Sequence, residues 1–252
     1  MFARLSAIDN LLLEALLVCA TFAAPVYSAH GRQQKGPESI GVTTVLFMIG
    51  AVVAAVLLSL LVLTLLFRPL RIWPTPGPGS WQSYVFWPLF RSLNVLCFAV
   101  AIADRADFLG LPLWLRLAAF ALLAVSIALF VYSFRVLGRD NSYGAQDGLV
   151  TGGIYRWTRN PQNAMLIVVY GCLALAADSA PTYVLCAAMM AVYALMVLAE
   201  EPWLEAAYGE PYRRYCSRVP RFFNWRRAAA LARGDAARLA FLDGEADRPQ
   251  KD

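Results

Sequence analysis

The chain's longest run without an Asp, Glu, Lys or Arg contains the 28 residues from 40 to 67. A helix rises about 1.5 Å per residue, so this stretch is long enough to cross the roughly 30 Å hydrocarbon layer of a bilayer. The stretch therefore predicts a membrane-spanning helix.

The composition of the whole chain agrees with a membrane protein. Of the 252 residues, 60% are hydrophobic and 15% are charged, whereas soluble domains carry about a quarter charged residues. The 14 Phe, 11 Tyr and 7 Trp residues, together with long aliphatic runs, exclude a disordered chain. The net charge of +5 comes from basic residues between the apolar runs and after Arg213, which fits cytoplasmic loops rather than a nucleic-acid groove. We therefore predict membrane lipids as partners and no nucleic acid.

Residues that commonly bind metals are sparse. The single histidine, His30, lies in a polar stretch, and the five cysteines form no Cys-x-x-Cys pair. Four of the cysteines lie inside apolar segments, where cysteine is usually a small buried residue. We predict no metal site and no disulfide framework.

The apolar segments predict an all-α fold, a polytopic membrane helix bundle of five to six transmembrane helices. A weak first segment, interrupted by Glu14 and Pro25, precedes five strong ones. In chain order the six segments are residues 11–27, 40–67, 84–103, 111–137, 164–177 and 182–199. The proline- and glycine-rich residues 68–80 predict a loop, and the short connection at residues 178–181 makes the last two segments a C-terminal helical hairpin.

The distribution of arginine predicts the orientation of the bundle. The hairpin tip has no Lys or Arg, whereas the segments before and after the hairpin are rich in Arg. The positive-inside rule places the tip outside and residues 135–159 in the cytoplasm. Six spans would export Arg32 and Lys35, and a five-span alternative with the first segment at the interface avoids that export. Both versions predict an integral protein of the bacterial inner membrane.

Two polar clusters flank the hairpin, at residues 139–163 and 199–220. Polar residues at membrane depth are costly, so such clusters are candidate functional sites. Both open ends of the hairpin emerge on one face, so we expect the clusters to meet in a cytoplasmic pocket. Asn160 and Pro161 predict a helix start, which favours a bound carboxylate or phosphate. Glu200 and Glu201 could hold a cation, a ribose diol or an ammonium group, although alone they more often end a span as solvated charge.

The order and spacing of these pieces form a specific pattern. The first part reads Leu149-Val-Thr-Gly-Gly-Ile-Tyr155 and Arg159-Asn-Pro161, and the second reads Glu200-Glu201, Leu204, Gly209, Tyr212, Tyr215 and Val219-Pro220. With a helical hairpin between them, these parts resemble the isoprenylcysteine carboxyl methyltransferase and phospholipid methyltransferase superfamily of integral membrane enzymes. The resemblance covers about residues 130–223.

The resemblance implies a cofactor and a set of residues that contact it. Known members hold S-adenosylmethionine between two such cytoplasmic segments, and a lipid-like substrate enters from within the bilayer. Carried over by position, the implied cofactor contacts are Asp140, Leu149, Val150, Tyr155, Asn160, Pro161, Glu200 and Glu201. The implied organisation is N-terminal transmembrane helices at 1–130, a methyltransferase-like catalytic region at 131–223 and a basic cytoplasmic tail at 224–252.

Departures from the family pattern leave the acceptor open. Asn160 and Asn163 replace the usual histidine and second tyrosine. The arginine that isoprenylcysteine enzymes carry before the glutamates is absent, and so is the Gly-x-Gly element of the phospholipid enzymes. We assign catalytic roles to Arg159, which would orient an anionic acceptor, and to Glu201, which could assist removal of a proton. The predicted acceptor is a small lipophilic or lipid-like molecule with a carboxylate, an amine or a thiol.

Two other functions stay open at this point. One is a membrane reductase of the sterol-reductase kind, which the short chain and the lack of a basic cluster for a nicotinamide cofactor weaken. The other is a membrane scaffold that retains the superfamily shape. One enclosed cavity lined by Glu200, Glu201 and Tyr155 would favour an enzyme, whereas glutamates in bulk solvent would favour the scaffold. The oligomeric state is not predicted.

Overall fold

The computed structural model describes residues 37–77, 79–104, 107–138, 148–235 and 239, and every regular element among them is helical. The helices are α1 (Pro37–Leu66), α2 (Trp81–Ala103), α3 (Leu113–Leu137), α4 (Pro161–Ala177), α5 (Ala180–Tyr208), α6 (Glu210–Arg218) and α7 (Trp225–Ala232), with 3-10 helices at Arg68–Leu70 and Gly153–Arg156. This architecture confirms the predicted all-α membrane bundle. The weak segment at residues 11–27 lies outside the described residues.

Four of the described helices are long and apolar enough to cross a membrane. They are Gly41–Leu66 within α1, and α2, α3 and α5. Helix α4 is apolar but has 17 residues, so its length of about 25 Å falls short of the roughly 30 Å apolar layer. Helix α5 continues through Glu200 and Glu201 to Tyr208. The apolar span predicted at residues 182–199 is thus the first part of a longer helix.

The helices pack in a chain of neighbours. Helix α3 packs on α4, α4 on α5, α5 on α1 and α1 on α2, and α2 also contacts α4 and α5. Because the chain passes back and forth, the α1–α2 connection, the residues before α4 and the end of α5 lie together at what we call the site end. The α2–α3 connection and the turn between α4 and α5 lie at the opposite, hairpin end. The buried centre includes Leu57, Phe86, Tyr170 and Met189.

Helices α1 and α5 approach each other closely at Gly50. A Cβ atom at this position would lie 2.9 Å from a terminal carbon of Leu185, which is closer than two carbons pack. Small residues allow such approaches between membrane helices, where packing is the main attraction. The glycine therefore sets how near α1 can come to α5.

Asp178 ties the hairpin end together. Its side chain is fully buried, and its carboxylate accepts hydrogen bonds from the backbone N–H of Leu109 at 3.0 Å and of Leu111 at 3.1 Å. The carboxylate also accepts from the Tyr183 hydroxyl at 3.2 Å, and the Asp178 carbonyl accepts from the Phe108 N–H at 3.0 Å. One residue thus joins the α2–α3 connection to the turn between α4 and α5.

The proline-rich connection between α1 and α2 folds into the bundle instead of extending into solvent. Thr64 Oγ1 near the end of α1 accepts from the Ile72 N–H at 3.2 Å, and Ile72 and Trp73 are buried. The Trp73 ring stacks on Phe86 of α2 with the ring centroids 5.0 Å apart. This connection therefore brings Trp73 into the site end.

Replacing Asp178 by Ala should destabilise the protein by about 2 kcal/mol or more, because buried N–H groups would lose their acceptor. The matched control is Asp107→Ala, which removes an 80% exposed aspartate that pairs with Arg116 and should change stability little. The measurement is reversible unfolding in mixed detergent micelles. Equal losses for the two variants would contradict the anchoring role.

Candidate functional site

The residues before α4 place Tyr155 inside the protein. Gly153 has φ +59°, a left-handed conformation that glycine adopts without strain. The 3-10 helix Gly153–Arg156 begins at this residue. Tyr155 is 4% exposed, and the Tyr215 hydroxyl donates to its backbone carbonyl at 2.7 Å. The resulting apolar cluster comprises Tyr155, Tyr212, Tyr215 and Val219, with Leu149 and Val150 packed against it. The two polar segments of the sequence are thus neighbours in space.

Helix α4 begins where the sequence predicts, with Asn160 at the N-cap position and Pro161 in the first turn. The Asn160 side chain nevertheless caps no N–H of the helix, because its Nδ2 donates to the Arg221 carbonyl at 3.1 Å. Thr158 Oγ1 donates to the same carbonyl at 3.0 Å, and the Arg159 N–H donates to the Pro220 carbonyl at 3.1 Å. We call this contact between residues 158–160 and 220–221 the joint.

Glu201 binds two arginines from opposite sides of the joint. Arg159 Nη2 lies 3.1 Å from Glu201 Oε1. Arg221 donates through Nε to Oε1 at 2.9 Å and through Nη2 to Oε2 at 2.5 Å. Such two-pronged pairs are strong charge-assisted hydrogen bonds, and the Glu201 carboxylate raises the pKa of Arg221 above its ordinary value. The Arg159 and Glu201 side chains are only 12% and 16% exposed. The Glu201 carboxylate is therefore paired with arginines and largely shielded from solvent.

The Glu200 side chain lies on a different side of α5, since successive helical residues point about 100° apart. Its carboxyl lies beside the indole N–H of Trp73 and is near enough to Tyr155 to act on its hydroxyl. Burial, followed by the neighbouring Tyr215 and the Glu200 charge, raises the pKa of Tyr155 well above its ordinary value. The Tyr155 hydroxyl is therefore a neutral donor at neutral pH.

Three buried donors around the two glutamates lack a well-formed hydrogen bond within the described part of the chain. They are Trp73 Nε1, Tyr155 OH and Arg159 Nε. Buried donors of this kind are costly, and where they persist they point to a partner such as water or a ligand. Together they suit a ligand that presents carboxylate, hydroxyl or ring-nitrogen acceptors.

An open groove of about 790 Å³ lies on the Glu201 side of α5, a volume in the range of small-molecule sites. Its charged lining residues are Arg68, Arg159, Arg213, Arg221, Glu201 and Glu205, so positive charge is in excess. Tyr155 and Glu200 do not line this groove. This groove is therefore not a cavity shared by both glutamates and Tyr155.

The structure gathers most of the predicted site residues at the site end. Arg159 and Glu201 pair in the groove, whereas Tyr155 and Glu200 lie on the buried side of α5. Beside these two places lie the remaining predicted residues, Leu149, Val150, Asn160 and Pro161. Asp140 lies outside the described residues. Within the described ranges, no group of three or more His, Cys, Asp or Glu residues could hold a metal ion.

Sequence reasoning missed Trp73, Arg68 and Arg221 as site residues. Arg221 directly follows the Val219-Pro220 pair of the motif, and its place as the next cation after that pair could have indicated it. Trp73 and Arg68 come from the α1–α2 connection, where no spacing pattern points to them.

Comparison with protein families supports the resemblance. Residues 114–211 match the family model described as Phospholipid methyltransferase, a family within the superfamily that the motifs indicate, so the predicted resemblance is confirmed. The matched stretch begins in α3 and ends at the start of α6, and it contains both glutamates but neither Trp73 nor Arg221. No curated protein and no solved structure matches the chain.

Replacing Arg221 by Gln should lower the free energy of unfolding by about 1 kcal/mol, because Glu201 would lose its two-pronged partner. The matched control is Arg213→Gln, since Arg213 is 57% exposed and its partners Glu205 and Glu210 are half exposed. Exposed pairs of that kind contribute little. Thermal unfolding in detergent measures both variants, and a control as destabilised as Arg221→Gln would contradict the central role of the Glu201 pair.

Proposed function

Since residues 114–211 match the phospholipid methyltransferase family, we propose that this protein is an integral membrane methyltransferase that uses S-adenosylmethionine and methylates a lipophilic or lipid-like acceptor. The observation that carries the proposal is that the matched stretch contains residues 149–161 together with Glu200 and Glu201, which lie together at the site end. The apolar helices around that site are those of an integral membrane protein, and they would give a lipid-like acceptor access from the bilayer.

The proposed cofactor contacts are Asp140, Leu149, Val150, Tyr155, Asn160, Pro161, Glu200 and Glu201. The donors at the site support this assignment, because Tyr155 OH and Trp73 Nε1 form no well-aligned hydrogen bond within the described residues. The first turn of α4 has no side-chain cap, so its N–H groups suit a carboxylate. The Glu200 carboxyl suits an amino group or ribose hydroxyls. S-adenosylmethionine carries all of these groups.

When bound, S-adenosylmethionine supplies an electrophilic methyl group on a sulfonium, and the protein's part is alignment and exclusion of water. Tyr155 and Trp73 would donate hydrogen bonds from the buried side of α5. Glu201 would hold Arg159 in one orientation, so that its guanidinium could position an anionic part of the acceptor in the groove. Arg159 and Glu201 are thus the proposed catalytic residues.

The acceptor atom decides whether a base is needed. A carboxylate or thiolate acceptor needs none, whereas an ammonium group must first lose a proton. Tyr155 cannot take that proton at neutral pH because its pKa is raised, and Glu201 is engaged by two arginines. Glu200 is then the carboxylate left to assist, for an amine acceptor that reaches the buried side of α5.

We propose that the site end faces the cytoplasm of the bacterial inner membrane. The described connections at that end carry Arg68, Arg71, Arg156 and Arg159, whereas Asp107 and Asp178 lie at the hairpin end. An excess of positive charge in short connections favours the cytoplasmic side. On this basis the 224–252 tail would also be cytoplasmic, and the division at residues 130 and 223 stays a prediction.

The cofactor assignment predicts saturable, micromolar binding of S-adenosylmethionine and of its demethylated product to the purified protein in nanodiscs. Calorimetric titration measures this, with NADPH titrated separately. Binding of NADPH alone would instead support the reductase, and binding of neither ligand by folded protein would support the scaffold. Transfer of labelled methyl groups into lipid extracts, thiols and hydrophobic acids would then identify the acceptor class.

Tyr155→Ala and Glu201→Ala should each weaken binding of S-adenosylmethionine at least about tenfold, or roughly 1.4 kcal/mol. The matched control is Glu210→Ala at the start of α6, whose side chain is 53% exposed and lies outside the groove, and this variant should leave the affinity unchanged. Thermal unfolding checks that every variant is folded. Unchanged affinity in both site variants would reject the site assignment.

A further inference from the structure

The segment after α6 carries two exposed aromatic side chains next to the site end. Phe223 is 48% and Trp225 is 76% exposed, and their rings are in edge contact with the centroids 4.4 Å apart. Aromatic surface of this size is unfavourable in water, whereas tryptophan is favoured at the level of lipid headgroups. The pair therefore suits a membrane interface.

Helix α7 turns an apolar face outward. Asn224 Oδ1 caps the start of the helix by accepting from the Arg227 N–H at 3.1 Å. The inner side packs on the protein, where the Arg227 guanidinium lies 5.2 Å from the centre of the Trp157 ring and Ala230 is buried. At about 100° per residue, the opposite side carries Trp225, Ala228, Ala229 and Ala232. A helix side that faces water normally carries polar or charged residues, and this side has none.

The charge around this face is strongly positive. Residues 210–235 contain seven arginines against two acidic residues, Glu210 and Asp235, an excess of +5. Arg233 is exposed at the end of α7. Segments that combine clustered arginines with exposed aromatics are attracted to anionic lipid surfaces.

The joint fixes the position of the segment after α6 along the membrane normal, relative to the spanning helices. Arg221 binds Glu201, where the apolar part of α5 ends, and its carbonyl accepts from Thr158 and Asn160 just before α4 begins. Three residues after Arg221, Asn224 caps α7. Helix α7 therefore starts where α4 and α5 leave the apolar layer, at the depth of the headgroups.

We propose that residues 222–235 form a binding surface for anionic lipid headgroups, with Phe223 and Trp225 inserted among the headgroups and Arg233 at the edge. The occupant is the surface of the bilayer that the spanning helices cross. A second copy of the chain would bring an equal positive charge against this surface and be repelled. The proposal does not rest on the proposed function.

The test uses full-length protein in nanodiscs whose lipids carry bromine close to the headgroup, with phosphatidylcholine alone or mixed with phosphatidylglycerol. Bromine quenches nearby tryptophan, and the difference between wild type and Trp225→Phe isolates the Trp225 signal. Trp81→Phe is the matched control, because Trp81 is also exposed at the site end but lies outside the arginine-rich segment.

Phosphatidylglycerol should increase bromine quenching of Trp225 at least about twofold and leave the quenching of Trp81 unchanged. In the Arg233→Gln variant, the increase in Trp225 quenching should be smaller. Equal quenching of Trp225 with and without phosphatidylglycerol would overturn the proposal. Quenching of Trp225 by acrylamide in the water, without quenching by the brominated lipid, would also overturn the proposal. Shielding from both quenchers together with a doubled particle mass would assign the face to a second copy instead.

Discussion

The carboxylate of Glu201 connects three parts of the chain that are far apart in sequence. It binds Arg159 before α4 and Arg221 after α6, while its own backbone belongs to α5. Around it, backbone carbonyls of Pro220 and Arg221 accept from residues 158–160. An anion shared by two cations is stable at low exposure only while both stay in place. The open ends of the helical hairpin are therefore held together by charge as well as by packing.

The adjacent glutamates divide the site because they lie on one helix. A turn of about 100° between neighbouring residues sends Glu201 into the arginine-lined groove and Glu200 toward Trp73 and Tyr155. The two sides of α5 thus offer different groups to a bound ligand, with buried donors beside Glu200 and arginines beside Glu201. This arrangement explains how one short motif could serve both binding and orientation.

Hydropathy predicts the spanning helices α1, α2, α3 and α5 because a helix in lipid must be apolar along its length. Hydropathy does not give the end of α5, since the two charges mark where the apolar part of the helix ends and not where the helix does. The pairing of the two polar segments follows from hairpin geometry. The joint could not be predicted, because its acceptors are backbone carbonyls that every residue possesses. Trp73 could not be predicted either, since it reaches the site by the folding of an irregular connection.

The position of Trp73 limits which part of the chain could be transferred to another protein with the site intact. The family match covers residues 114–211, yet one of the donors beside Glu200 comes from the connection between α1 and α2, and Gly50 of α1 lets that helix lie close against α5. A chimera that kept only residues 114–211 and took its first helices from elsewhere would lack this donor and this close fit. The region that matches the family model therefore depends on the first two helices for a donor and for its close packing.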